Sequence, residues 1–174
     1  KTHAADGKSS LGYDGGFYES SYDFDELAWA AVWLYTCTED WSYIDSIISQ
    51  SDVQNEDGSY NYTGYLSRII VDTGNDWQNI WVHCWDTVWG GVFAKLAPIT
   101  NTERDWYIFR WNLEYWSGIE HEDPSDTTFL AKTPAGFSML NNYGSCRYNA
   151  AAQMCAAVYA KETGDKRFSD WAVT

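Results

Sequence analysis

Three carboxylates stand at the heads of helical patterns: Asp25 and Glu26 open DELAWAAVWLYTCTED, and Asp86 precedes Thr87-Val88-Trp89-Gly90-Gly91. Gathered together, with the Ser21 hydroxyl close by in sequence, such hard oxygen donors suit Ca2+. The same acids also suit the first turn of a helix, whose unpaired N–H groups and dipole favour negative charge. Aromatic and polar residues recur at matching places, with Tyr18 before Asp25, Trp81 before Asp86 and Tyr143 before Arg147. Aromatic faces stack on the C–H faces of sugar rings, and Asp and Arg side chains hydrogen-bond hydroxyls. A groove lined by these residues would therefore take a polysaccharide. The structural alternative is that they are hydrophobic staples and N-caps of the helices they precede.

Other reactive types carry less. His121-Glu122-Asp123 could form an acid/base or metal cluster, but Pro124 follows directly and the stretch reads as a solvated polar loop. His83 and Cys84 stand among the tryptophans and read as packing groups rather than a Cys–His pair. Asn61-Tyr62-Thr63 is a glycosylation sequon if the source glycosylates. Cys37, Cys84, Cys146 and Cys155 lack CxxC spacing and lie in or beside helical patterns, which predicts buried free thiols.

The elements that must position these residues repeat. Asp25, Asp86 and Arg147 are each 61 positions apart, and each opens a unit with a small residue five positions on: Ala30, Gly91 and Ala152. Each unit then runs through an apolar helix, a polar turn and an aromatic second helix. Units of this size in a helical pattern predict stacked helical hairpins. In the first, Leu27, Ala30, Ala31 and Leu34 are expected to form the apolar face, Thr38-Glu39-Asp40 the turn and Trp41 to Ile48 the partner helix. The second is predicted from about Ile80 to Leu96, ending at Pro98, turning through Thr100-Asn101-Thr102 and resuming from Arg104 to Trp116. The third fills Arg147 to Lys161, turns at Gly164-Asp165 and restarts at Lys166.

Residues 1–16 read as coil, and residues 51–75 as loop with a small hairpin drawn from Tyr60 to Tyr62 and Ser67 to Val71. The long connections fall between hairpins and are expected to gather at one end of the stack, where loops carry function on a rigid scaffold. The last helix stops eight residues after it begins, and the sequence opens without Met. The chain is therefore read as mature or cut from something longer.

A length of 174 residues allows one domain with a real core. Eleven tryptophans and thirteen tyrosines, many beside polar residues, are the usage expected of surfaces that stack on flat ligands. A formal charge of -14 and a pI near 4.3 repel phosphate backbones and anionic membranes, arguing against nucleic acid and membrane partners. Nowhere does an apolar run approach the roughly 18 residues of a membrane span.

On these residues the chain resembles the catalytic domain of glycoside hydrolase family 9, the endoglucanase and cellulase family built as an (α/α)6 barrel. The resemblance rests on four stretches: Phe17-Tyr18 with Asp25 to Tyr35, Trp81 with Trp85-Asp86, Thr133-Pro134-Ala135-Gly136, and Tyr143 to Tyr148 with Ala157-Val158-Tyr159-Ala160. It implies an all-α fold class of helical hairpins forming part of an (α/α)6 barrel. Residues 1–174 would be an internal portion, about three hairpins, of a single catalytic domain.

The resemblance further implies that Tyr18, Trp81, Tyr143, Arg147 and Tyr148 contact substrate, and that Asp25, Glu26 and Asp86, with Ser21, hold a structural Ca2+. Tyr143 stands where the family usually has tryptophan, and the segment after Tyr18 is one residue short and lacks a tryptophan, which hints at a decorated glucan. The family's Asp-Ala-Gly-Asp motif and its C-terminal Glu have no counterpart in the chain, so no catalytic residue is assigned within it. The implied activity is hydrolysis of β-1,4-glucosidic bonds by an inverting mechanism in a secreted enzyme. Its implied partners are a β-glucan and the remaining segments of the same domain. Two other classes stay open: a non-catalytic carbohydrate-binding helical domain and a helical-repeat interaction scaffold.

Overall fold

A computed structural model describes residues 23–71, 83, 87–140 and 145–174. The chain divides into two compact units, one comprising residues 1–80 and 85–88 and the other residues 81–84 and 89–174. The described residues are mainly helical, as the repeat pattern predicts, and each of the three expected hairpins is present.

In the first unit α1 (Phe24–Thr38) is followed by α2 (Ser42–Ile48). Glu39 ends α1 in the left-handed conformation at φ 58°, with its N–H donating to the Tyr35 carbonyl. The buried stripe of α1 is Asp25, Ala28, Ala31 and Val32 rather than the expected face, and Leu34 is 44% exposed. Ala30 is exposed too. The stripe is thus rotated about the helix axis, and a carboxylate occupies its first place. Ile44 and Ile47 of α2, with Leu66 and Ile69, add further buried apolar side chains among the described residues of this unit.

The hairpin of this unit pairs β1 (Gln50–Gln54) with β2 (Tyr60–Tyr62), antiparallel, with Gln50 opposite Tyr62 and Gln54 opposite Tyr60 and a bulge between. Gly58, at φ 85°, makes the turn between the two strands. The expected second strand at Ser67 to Val71 is instead a 3-10 turn (Tyr65–Ser67) running into α3 (Arg68–Val71). Gly64 explains the change: it lies so close to α2 that a Cβ there would collide with the Ile47 carbonyl group. The chain turns tightly against the helix instead of extending.

The second unit holds α4 (Trp89–Thr100), α5 (Glu103–Ser117), α6 (Ser145–Thr163) and α7 (Lys166–Ala172). Helix α4 starts at Trp89 rather than near Ile80, with His83, Thr87 and Val88 outside it, and runs two residues past Pro98, contrary to the expected stop. Near a C-terminus proline costs one backbone bond, and the ring of Pro98 is exposed. Asn101 then turns the chain at φ 48°, and Thr102 caps α5 by accepting from the Asp105 N–H at 3.3 Å. Gly164 (φ 78°) and Asp165, which accepts from the Arg167 N–H, join α6 to α7 where predicted.

Four helices bury one apolar core, with Trp89, Phe93 and Leu96 of α4, Phe109 and Leu113 of α5, Ala152 and Ala156 of α6 and Phe168 of α7. Tyr159 ties three of them together, its ring 5.4 Å from Phe109 and 4.9 Å from Phe168. Each large apolar side chain sequestered in this way contributes about 1.5–3 kcal/mol before chain entropy is set against it. Gly91 is buried, unlike Ala30 at the same repeat position. A Cβ there would collide with the His83 ring, which fits the packing role expected of that histidine. Cys37, Cys146 and Cys155 are free, but only Cys155 of these is buried, which corrects the expected burial of the other two.

Candidate functional site

Helix α1 begins with acids, and two of them are buried rather than exposed. Asp23, at the N-cap position, makes no side-chain capping bond, and both Asp23 and Asp25 are buried. Asp25 Oδ2 accepts the Val88 N–H at 2.6 Å, a bond spanning 63 positions of sequence. Its Oδ1 is buried and accepts no hydrogen bond among the described residues. Burial pushes the Asp25 carboxyl above the usual carboxylate range, and hydrogen bonding from Glu26 and the Val88 amide pulls the other way. A buried carboxylate with one anchored and one open oxygen has donor capacity to spare, and oxygen donors of this kind fit a hard cation. Among the described residues no group of three or more His, Cys, Asp or Glu side chains is arranged to hold a metal ion. Ser21 and Asp86, the other expected ligands, lie outside the described residues.

In the second unit Arg147 and Tyr148 occupy the first turn of α6. Arg147 is exposed, and Tyr148 is buried at 6% exposure within a cluster with Tyr115, Trp116, Leu130, Leu140 and Ala152. Arg147 Nη2 donates to the Tyr148 hydroxyl at 3.1 Å, and its guanidinium stands 4.8 Å from the centre of that ring. A core tyrosine thus braces an outward-facing cation. Tyr18, Trp81 and Tyr143 lie outside the described residues.

Support for this turn comes from a residue that spacing and composition do not single out. The Asn149 amide accepts from the Ser138 N–H at 2.9 Å and donates to the Ser138 and Ser145 carbonyls at 2.7 and 2.9 Å. Lys132 Nζ donates to Ser138 Oγ at 2.5 Å and also to the Trp116 carbonyl, which accepts from Ser138 Oγ as well. Burial lowers the Lys132 ammonium to about 8. Together these bonds fasten the Thr133-Pro134-Ala135-Gly136 segment, which turns at Gly136 (φ 88°), to the start of α6. The one signal in the sequence is an asparagine placed between Tyr148 and Ala152 on the buried side of an apolar helix.

His121 also departs from expectation. It is buried, not solvated, while Glu122 and Asp123 beside it are exposed.

The sequence matches Glycosyl hydrolase family 9 over residues 1–174, and the chain belongs to that family. Endoglucanase 4 of Bacillus sp. (strain KSM-522) is 29% identical over 153 residues, covering 86% of this chain and 21% of that protein. Endoglucanase 13 of Arabidopsis thaliana is 27% identical over 164 residues, covering 92% of this chain and 29% of that protein. Among solved structures, the cellulase Cel9M of C. cellulolyticum aligns over 94% of this chain and 31% of its own, at 30% identity and a TM-score of 0.65. The endoglucanase CelQ from Clostridium thermocellum, complexed with cellotetraose, aligns over 94% of this chain and 25% of its own, at 26% identity and a TM-score of 0.68. The chain therefore spans between a fifth and a third of the length of these relatives, and its helical hairpins are part of the (α/α)6 barrel fold.

Proposed function

We propose that residues 1–174 form an internal portion of one catalytic domain that hydrolyses β-1,4-glucosidic bonds in a cellulose-like or substituted glucan with inversion. In this reading the chain supplies sugar contacts and a calcium site, while carboxylates elsewhere in the protein carry the proton transfers. One acid protonates the leaving oxygen, and a carboxylate activates water on the opposite face of the ring. The family membership of the whole chain supports the reading, as does the complex of CelQ with cellotetraose. The site-level observation that carries it is Asp25, buried with Oδ1 open and Oδ2 fixed by the amide two positions after Asp86.

Asp25, Glu26 and Asp86, with Ser21, would hold Ca2+. When bound, the ion neutralises carboxylates that would otherwise repel one another, and so stabilises the folded state. Arg147 presents N–H donors to substrate hydroxyls, and Tyr148 holds that guanidinium in place. Tyr18, Trp81 and Tyr143 offer aromatic faces for stacking on pyranose rings. The substrate is a neutral polysaccharide, in keeping with a chain charge of -14 that repels polyanions. The enzyme acts outside the cell, where such polymers are met; among the described residues no helix is long and apolar enough to cross a membrane.

Release of reducing ends from soluble β-1,4-glucan by the complete protein tests the proposal. Loss of that release in Arg147→Ala, with an unchanged melting temperature, is the expected result. Tight binding of cello-oligosaccharides without any hydrolysis would favour a carbohydrate-binding domain instead.

A further inference from the structure

We propose that Glu114 and His121 form a proton-holding clamp that fastens the 118–130 loop to α5 and loosens as the pH rises. His121 is 3% exposed although it stands in a polar loop. Its ring stacks with Trp111 of α5, at 5.6 Å and 21°, and with Phe129, at 4.6 Å and 18°. Nδ1 lies 3.0 Å from Glu114 Oε2, and Nε2 lies 2.8 Å from the Thr128 carbonyl oxygen.

The acceptors around the ring fix how many protons it needs. A carbonyl oxygen can only accept, so Nε2 must carry a hydrogen. The contact at Nδ1 then needs a second proton, either on the ring as imidazolium or on the Glu114 carboxyl. In both cases the pair holds one proton more than a neutral imidazole beside an ionised carboxylate. Remove it, and a nitrogen lone pair faces a carboxylate oxygen in a buried site, so an attraction becomes a repulsion.

Burial and the loop carboxylates favour keeping that proton, and the nearby guanidinium groups oppose it. Burial pushes the Glu114 carboxyl above its usual range, against the opposing pulls of His121, Arg110 and Arg167. Arg110 Nε stands 3.3 Å from Glu114 Oε1, and its guanidinium also pairs with Glu122. On the loop side, Asp126 Oδ1 is 3.9 Å from His121 Nε2, and its carboxyl is held below the usual range by bonds from the Trp111 indole and Thr128. Asp123 adds a further negative charge toward His121. Tyr159 of α6, with Asp165 and Arg167 at α7, also acts on this cluster.

The direction of the pH dependence follows. Above about pH 6.5 an unfolded histidine is largely neutral and an unfolded glutamate is ionised. The folded state then binds more protons than the unfolded state, so stability falls as pH rises. The clamp's contribution disappears as the pair gives up its proton with rising pH.

Glu114→Gln isolates the effect, because an amide N–H can donate to a neutral His121 Nδ1 while Nε2–H still reaches Thr128. Thermal unfolding of the complete protein, with and without Glu114→Gln, is to be compared between about pH 6 and 9. Across that range the melting temperature of the wild type should fall by about 2 °C or more in excess of the fall shown by Glu114→Gln. Parallel profiles would overturn the clamp. Hydrogen exchange of the wild type, corrected for intrinsic rates, provides a second test that needs no substitution. Protection of the 118–130 segment should fall about tenfold across that range while α6 stays protected. Protection of the loop that is indifferent to pH would also overturn it.

Discussion

Val88 donates its backbone N–H to Asp25 Oδ2 at 2.6 Å, joining the head of the first hairpin to the stretch immediately after Asp86. Asp25 is fully buried, and its second oxygen has no hydrogen-bond partner among the described residues. A capping carboxylate is typically exposed, whereas this one is sequestered and also bonded to a distant amide. The proposed calcium site rests on that relationship.

The first expectation concerns calcium. Chelation should lower the melting temperature of the complete protein, because an ion that binds only the folded state stabilises it by RT ln(1 + [L]/Kd). Asp86→Ala should remove most of this dependence and leave a folded protein. Melting curves unaffected by chelator and by added calcium would return these acids to a purely structural role.

A second expectation concerns the Arg147–Tyr148 brace. Tyr148→Phe removes the hydroxyl that accepts from Arg147 and keeps the ring in the core, so kcat/KM on oligosaccharides should fall by about two- to tenfold, the equivalent of one hydrogen bond. Stability should barely change. An equal loss in stability and activity would mean that the hydroxyl serves packing alone.

The third concerns aromatic stacking. Trp81→Ala and Tyr143→Ala should each weaken binding and turnover by about 1–3 kcal/mol through lost contact area with sugar rings. Unchanged kinetics for both substitutions would make them hydrophobic staples.

The fourth is structural. Gly64 has φ −78°, a value open to any residue, so its need for glycine is a matter of space. Gly64→Ala would push a methyl group against the α2 backbone and should cost about 1–3 kcal/mol in denaturant unfolding. Asn149→Ala, which strands the Ser138 backbone groups in a buried site, should cost about 2–4 kcal/mol by the same measurement. Midpoints equal to that of the wild type would show that these segments shift at little cost.

Much of this architecture is legible in the sequence because helical hairpins leave periodic traces. The spacing of Asp25, Asp86 and Arg147 marks three starts, and Gly164-Asp165 and Thr100-Asn101-Thr102 mark turns through residues that tolerate positive φ or cap a helix. The features that escape it have tertiary causes. Leu34 sits on a helical apolar pattern yet is exposed, because the stripe begins at Asp25, a residue that composition alone assigns to the surface. His121 reads as solvated in His-Glu-Asp-Pro, since nothing local announces the two aromatic rings or Glu114, seven positions away on α5. Pro98 does not stop α4, because near a helix C-terminus the lost bond is a single one. Asn149 is legible only to the question of why an amide sits on a buried helix face.

The most direct measurement of the central claim is the anomeric configuration of the first products. The complete protein would be followed by proton NMR during early hydrolysis of a cello-oligosaccharide, before mutarotation equilibrates the ends. An inverting β-1,4-glucanase releases the α-anomer first, and loss of this signal in Arg147→Ala would tie the chemistry to this chain. Initial release of the β-anomer, or no cleavage of β-1,4-glucan at all, would contradict the account.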